Sequence, residues 1–119
     1  MDLKLYLIRQ MAFSHATFGP GERTHGVIDH IRKELVEVAE SEGSIEEWVD
    51  VVILALDGLT LASAFKGVVE GRRDPEFVAN LCVNAIVGKQ SRNEARTWPD
   101  WRTMSAEKAI EHDRTSGVQ

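Results

Sequence analysis

Residues 33–58 read KELVEVAESEGSIEEWVDVVILALDG, and how this stretch folds decides the architecture of the chain. Its first part continues a pattern in which Ile28, Ile31, Leu35 and Val38 recur every three or four residues, the mark of a core-facing stripe on a helix from Thr24 or Gly26 to Glu42. SEGS at 41–44 breaks that helix. Ser44 is then a candidate N-cap, and Glu47 three positions later completes a capping box for a further helix reaching toward Gly71. WVDVVILAL, residues 48–56, is rich enough in β-branched side chains to suggest a buried parallel strand. The capping signals, the short connection and the lack of other strand-like runs favour helix. Two helices joined by so short a turn make an antiparallel hairpin, and the chain reads as all-α.

Outward from the hairpin, Leu3, Leu7 and Met11, with Leu5, Ile8 and Ala12, place a first helix over about residues 3–15, ending near Gly19-Pro20-Gly21. After the GRRDP break at 71–75, Asp74 caps and Pro75 opens a fourth helix that continues through Lys89 to Arg96 and stops before Pro99. SAEKAIEHDR, residues 105–114, is expected to form a short last helix before a polar tail from about 115. Residues 1–119 thus read as a single domain without internal repeats. With 43% hydrophobic and 28% charged residues, the disordered and membrane-spanning classes are disfavoured. A core of this size gains from pairing with a second subunit, so a homo-oligomer is expected. The net charge of -5 argues against coating a nucleic acid polymer. Cys82, the single cysteine, suits a reducing compartment, and MDLKLYLIRQMAF is unlike a secretory signal, which makes the cytoplasm the default location.

The polar residues of the hairpin carry the chemistry. At about 100° per residue, His30, Glu34, Glu37 and Ser41 share one stripe at the edge of the apolar face. Glu47, Asp50, Leu54 and Asp57 share another on the following helix, where nearly every other position from Trp48 to Leu56 is apolar, so Asp50 is expected to be buried. A buried carboxylate needs a partner or a cation, and residues 43–61 contain no Lys, Arg or His, so the positive charge must come from elsewhere. Glu34-x-x-Glu37 alone is an ordinary solvated helix face; facing Glu47-x-x-Asp50 across a tight turn, it becomes a set of four hard oxygen donors that suits Mg²⁺ or Mn²⁺ better than zinc. A ferritin-like di-iron site would need Glu-x-x-His twice, and only Glu22-Arg23-Thr24-His25 matches. Phosphoryl transfer on clustered divalent ions fits the carboxylates and calls for cations to meet the remaining phosphate charge.

Lys89, Arg92 and Arg96 fall three and four residues apart, a basic stripe on the fourth helix that either meets an anion or is a solvated helix end pairing with Glu94. Trp98 and Trp101 follow it, while Phe18 and Arg23 flank the first glycine-rich loop; an aromatic beside a cation can stack a nucleobase, although core packing or a subunit contact serves a tryptophan equally well. Gly19, Gly21 and Gly26 do not form a phosphate-binding loop of the Walker type. Cys82 reads as a packed core thiol, and His15, His25 and His112 have no evident partner.

The paired E-x-x-E and E-x-x-D of residues 33–58 resemble the signature of the MazG-like superfamily of all-α nucleoside triphosphate pyrophosphohydrolases. FGPGERTHGVIDHIRKEL and NEARTWPDWR are similar to its small branch of dATP/dGTP diphosphohydrolases, common in bacteriophages, and the likeness covers about residues 18–112. One type within that branch removes guanine triphosphates to feed the replacement of adenine by 2-aminoadenine in DNA. The resemblance implies a MazG-like helical bundle completed by oligomerisation into a dimer or tetramer, in the cytoplasm of a bacterial host if phage-encoded. It implies cleavage of a purine deoxynucleoside triphosphate, dGTP favoured, between the α- and β-phosphates, with no role for a nucleic acid polymer or a membrane. Two or more Mg²⁺ or Mn²⁺ ions would sit on Glu34, Glu37, Glu47 and Asp50, one of which orients or deprotonates the attacking water. Lys89, Arg92 and Arg96 would neutralise the leaving pyrophosphate, from the same or a neighbouring subunit; Asp57 would contact the sugar or a water beyond the metal ligands, and Trp98 would serve the nucleoside. Lys33 stands where the superfamily pattern has another acidic residue, and the short interval between Glu37 and Glu47 implies a tight hairpin with Glu46 available to share the ligand role. Two other readings remain open at this stage: a broader housecleaning hydrolase for dATP or modified triphosphates, and a non-catalytic helical assembly or nucleotide-binding protein whose carboxylates pair with arginines across an interface.

Overall fold

The computed structural model describes residues 1–65 and 74–114. Four helices follow one another, α1 (Leu3–Phe18), α2 (Thr24–Glu40), α3 (Ile45–Phe65) and α4 (Pro75–Ala95), and a 3-10 turn, Trp101–Thr103, comes after them. Among the described residues there is no strand, and WVDVVILAL lies wholly within α3. The expected extension of α3 toward Gly71 and the polar tail from 115 fall outside the described residues. The chain divides into two compact units, Met1–Asn84 and Ala85–Gln119.

In the first unit, Asp2 caps α1 by accepting from the Lys4 and Leu5 amides at 2.7 and 3.3 Å. The buried face of α1 is Leu7, Gln10, Met11 and Ser14. Leu7 and Met11 join Val78, Ala79 and Cys82 in the core, and Leu3 and Ile8 pack against it. Leu5 and Ala12 point to solvent, so the α1 face is narrower and more polar than the apolar spacing predicts. Cys82 is fully buried and donates to the Ser63 hydroxyl at 3.3 Å; burial pushes its thiol pKa up, as expected for a core thiol.

The hairpin turn is tight, as the sequence implies. The Gly43 amide reaches back to the Val38 carbonyl at 2.8 Å and the Glu42 amide to the Ala39 carbonyl at 3.1 Å, the two bonds of a Schellman motif. Glu42 holds the left-handed position of that motif at φ 58°, where glycine is the usual occupant. Ser44 caps α3 by accepting from the Glu47 amide at 3.3 Å. The reciprocal half of the capping box is not used: the Ser44 amide donates instead to the Ser41 hydroxyl at 3.1 Å, leaving the Glu47 carboxylate free for other partners.

Burial on the hairpin departs from the sequence reading. On α2, Val27 and Val38 are buried, Ile31 and Glu34 half-buried, and Ile28 and Leu35 exposed. Among the described residues α2 packs chiefly against α3, with Phe18 of α1 meeting its His30, so a narrow strip is covered and the rest of the apolar stripe is left open. α3 is buried only in its second half, at Leu54, Asp57, Thr60, Leu61 and Ser63, where α1 also packs against it. Its first half is more open, and Asp50, expected to be buried, is exposed because among the described residues of the first unit only α2 packs beside that end. Ile45, Trp48, Val49, Val52 and Ile53 form an exposed apolar stripe on the side of α3 opposite its acidic stripe. By length and composition alone α3 could cross a membrane, with mean hydropathy 1.7 over its most apolar window.

In the second unit the expected helix over 105–114 does not form: the segment is a turn followed by irregular chain. The Asp113 amide pairs with the Thr97 carbonyl at 2.6 Å, and the Ser105 hydroxyl accepts from the Glu107 amide at 3.1 Å. So short a segment, exposed from 105 to 111, lacks the packing that offsets helix nucleation, and the serine offers its backbone a turn instead.

Candidate active site

The α2–α3 hairpin brings Glu34, Glu37 and Glu47 together, with one carboxylate oxygen of each within 4.8 Å of the others. Glu34 lies on the strip of α2 that faces α3, and among the described residues its buried Oε2 has no hydrogen-bond partner. Its pKa is raised above the ordinary glutamate value, first by desolvation, then by a hydrogen bond shared with Glu37 and by the charges of Glu37, Asp50 and Glu47. Glu47 is raised in the same way, by desolvation and by the charges of Glu37, Asp50 and Glu46. Asp50 therefore belongs to the group electrostatically, although it is exposed. Glu46 contributes charge from the neighbouring position, also exposed. His30 approaches the cluster, with its Nε2 3.6 Å from Glu34 Oε1, and is a cation only when protonated. Lys33 turns away to Asp29 at 3.4 Å. A convergent set of hard, uncompensated oxygens with one orphaned buried atom fits a divalent cation such as Mg²⁺ or Mn²⁺.

Toward the other end of the hairpin lies a cavity of about 340 Å³ lined by Phe18, Arg23, Gly26, Val27, His30, Leu54 and Asp57. Asp57 is only 4% exposed, and here the imported positive charge is found: Arg23 Nη2 lies 3.3 Å from Asp57 Oδ2. Ser14 donates to Asp57 Oδ1 at 2.6 Å and accepts from Arg23 Nη2 at 2.7 Å, while Arg23 Nε donates to the Gly19 carbonyl at 2.7 Å. The guanidinium lies 5.5 Å from the centre of the Phe18 ring, and Phe18 meets His30 edge-on at 6.4 Å. His30 thus lines the cavity on one side and approaches Glu34 on the other, which makes cavity and carboxylates neighbours along the hairpin. Sequence reasoning set the Asp57 side chain on the acidic stripe and singled out Phe18 and Arg23, but missed Ser14 and His30 as wall and support. The absence of any cation over residues 43–61 was the signal, and it pointed to a partner for Asp57 rather than for Asp50.

In the second unit, Lys89 and Arg92 are exposed on α4 and Arg96 is half-buried, with its Nη1 donating to Asn93 at 2.9 Å. Glu94 accepts from Gln90 at 3.0 Å. Trp98 donates its indole N–H to the Asn93 carbonyl at 2.7 Å and meets His112 edge-on at 5.7 Å. His112 titrates below its ordinary value because it is desolvated and because Arg96, Arg114 and Lys89 surround it with positive charge. The basic stripe therefore belongs to a locally positive region of an acidic protein.

No curated protein and no solved structure matches the chain. The family model described as dATP/dGTP pyrophosphohydrolase matches residues 7–116, which takes in most of α1, the hairpin with its carboxylates, and the basic segment. With nearly the whole sequence inside that match, the chain belongs to the dATP/dGTP pyrophosphohydrolase family and is a nucleoside triphosphate diphosphatase.

Proposed function

We propose that the protein is a MazZ-type pyrophosphohydrolase converting dGTP and water to dGMP and pyrophosphate in the cytoplasm, that of a bacterial host if phage-encoded, and so supplying dGMP for 2-aminoadenine nucleotide synthesis. The observation that carries the reading is the carboxylate set within 4.8 Å, whose member Glu34 has a buried oxygen without a partner. Glu34, Glu37, Glu47 and Asp50 would hold two or more Mg²⁺ or Mn²⁺ ions, which supply charge neutralisation for the polyphosphate and acidify a nearby water. One of the four carboxylates orients that water and takes its proton. Lys89, Arg92 and Arg96 meet the charge that develops on the leaving pyrophosphate, from the same chain or a neighbouring subunit, with Trp98 beside them serving the nucleoside. Asp57 and the cavity around it hold the nucleoside.

A homo-oligomer, dimer or tetramer, is part of the proposal. The exposed stripe Ile45, Trp48, Val49, Val52 and Ile53 has the spacing of a helix–helix seam and faces away from the carboxylates, so a second copy can cover it without closing the site. Glu46, Glu47 and Asp50 on the same half of α3 make a bilayer an unfavourable alternative cover. The test is a panel of natural and modified triphosphates incubated with Mg²⁺ or Mn²⁺, with pyrophosphate and orthophosphate resolved by anion exchange. Monophosphate and pyrophosphate from dGTP, at the highest kcat/KM of the panel, is the expected result. Preference for dATP or a modified base would overturn the substrate assignment, and no turnover with either ion would leave the hairpin as a binding or assembly device.

A further inference from the structure

Among the residues that line the cavity, Asp57 supplies the one carboxylate and Arg23 the one guanidinium, and each is held in place by other parts of the fold. Val27 and Leu54 are apolar, while Phe18 and His30 present aromatic faces or edges. This is the composition of a pocket for a flat heterocycle with a polar edge, and about 340 Å³ lies in the range of small-molecule sites. Asp57 stands two turns beyond Asp50, a rise of about 10 Å along α3. A nucleoside laid along the hairpin with its 5′ phosphates at the carboxylates brings its base, rather than its sugar, to that level.

The geometry points to Asp57 as the residue that selects guanine over adenine, with Arg23 both holding it and meeting the base beside it; this rests on the reading of the hairpin as a deoxynucleoside triphosphate site. Guanine presents two adjacent donors, N1–H and the N2 amino group, beside the O6 acceptor. A carboxylate has lone pairs for both donors even while it accepts from Ser14 and Arg23. Among the described residues the bonds of Arg23 use Nε and Nη2, which leaves Nη1 to donate to O6. Adenine turns a bare N1 lone pair toward the same carboxylate, and a site built for donors then holds an unpaired polar group. Asp57 cannot swing away to accommodate it, because Ser14 and Arg23 fix both oxygens.

The test measures equilibrium binding of dGMP, dIMP and dAMP to the metal-loaded protein by calorimetry, for the parent chain and for Asp57→Asn. The parent is expected to bind dGMP most tightly, dIMP less tightly because it lacks the N2 amino group, and dAMP weakest, with dGMP and dAMP about tenfold or more apart. Asp57→Asn should shrink that ratio at least severalfold, through loss of dGMP affinity rather than of all three. Equal affinity of the parent for dGMP and dAMP, no binding of any of the three, or a uniform loss in the variant would overturn the assignment. The parent series stands without the variant, should Asp57→Asn fail to fold. Selective dGMP binding by a protein that cleaves no triphosphate would uphold the assignment and overturn the proposed catalytic function instead.

Discussion

The two ends of the α2–α3 hairpin carry the same kind of residue under opposite conditions. At the turn, Glu34, Glu37 and Glu47 crowd within 4.8 Å, Glu34 and Glu47 are raised in pKa, and among the described residues no lysine or arginine pairs with them. At the far end, Asp57 is more deeply buried yet satisfied by Arg23 and Ser14. Both lie on acidic stripes of the same helices, so residue type and helical position do not separate them. What separates them is cover: α1 and the loop before α2 reach the second half of α3 and bring a guanidinium, while among the described residues of the first unit only α2 lies beside the first half. The compensated end has its charge fixed in place by the fold, as a pocket wall requires, and the uncompensated end leaves its oxygens open to a cation.

The comparison is broken most severely at the turn. Glu34→Gln or Asp50→Asn should lower kcat by roughly a thousandfold or more while the circular dichroism spectrum stays helical; retained turnover would remove that residue from the site. Next in size is the closed end. Arg23→Met leaves the Asp57 carboxylate buried without its cation and should cost about 3 kcal/mol of unfolding free energy in a urea titration. A loss of a few tenths would mean that Ser14 alone satisfies Asp57.

Metal removal sharpens the contrast. Mg²⁺ at about a hundred times its Kd should stabilise the parent by about 2.7 kcal/mol, and this gain should vanish in Glu34→Gln. The pH dependence follows from the raised carboxylates. In chelator, folded Glu34 and Glu47 hold protons more tightly than the unfolded chain does, so their contribution to stability is full below the ordinary glutamate value of 4.5 and falls as pH rises through the raised values. The Tm difference between the parent and Glu34→Gln should therefore shift in favour of the variant as pH rises, and Mg²⁺ should reverse that trend. The smallest effect is in the turn itself. Glu42→Gly relieves a left-handed residue at φ 58° and should raise stability by up to about 1 kcal/mol without altering turnover.

Much of this was legible in the sequence. Apolar spacing, the Ser44 cap and the Asp74-Pro75 start yield four helices close to those observed, and the E-x-x-E and E-x-x-D pair marks the hairpin as the candidate site, because these are local properties of a helix and its ends. Periodicity also indicates that Leu35 and Ile28 are apolar-face residues and that α3 is apolar nearly all round. It cannot say which neighbour, if any, covers a given face, and so Asp50 and Leu35 were expected inside and stand outside. The short segment over 105–114 fails for a related reason, since a weak helix needs packing that its own residues do not encode. Residue type and spacing thus determined the helices and the four carboxylates. Only the tertiary structure decided which carboxylate receives a cation, because Arg23 reaches Asp57 through a chain reversal 34 residues away in sequence, and burial and pairing are properties of that approach rather than of either segment alone.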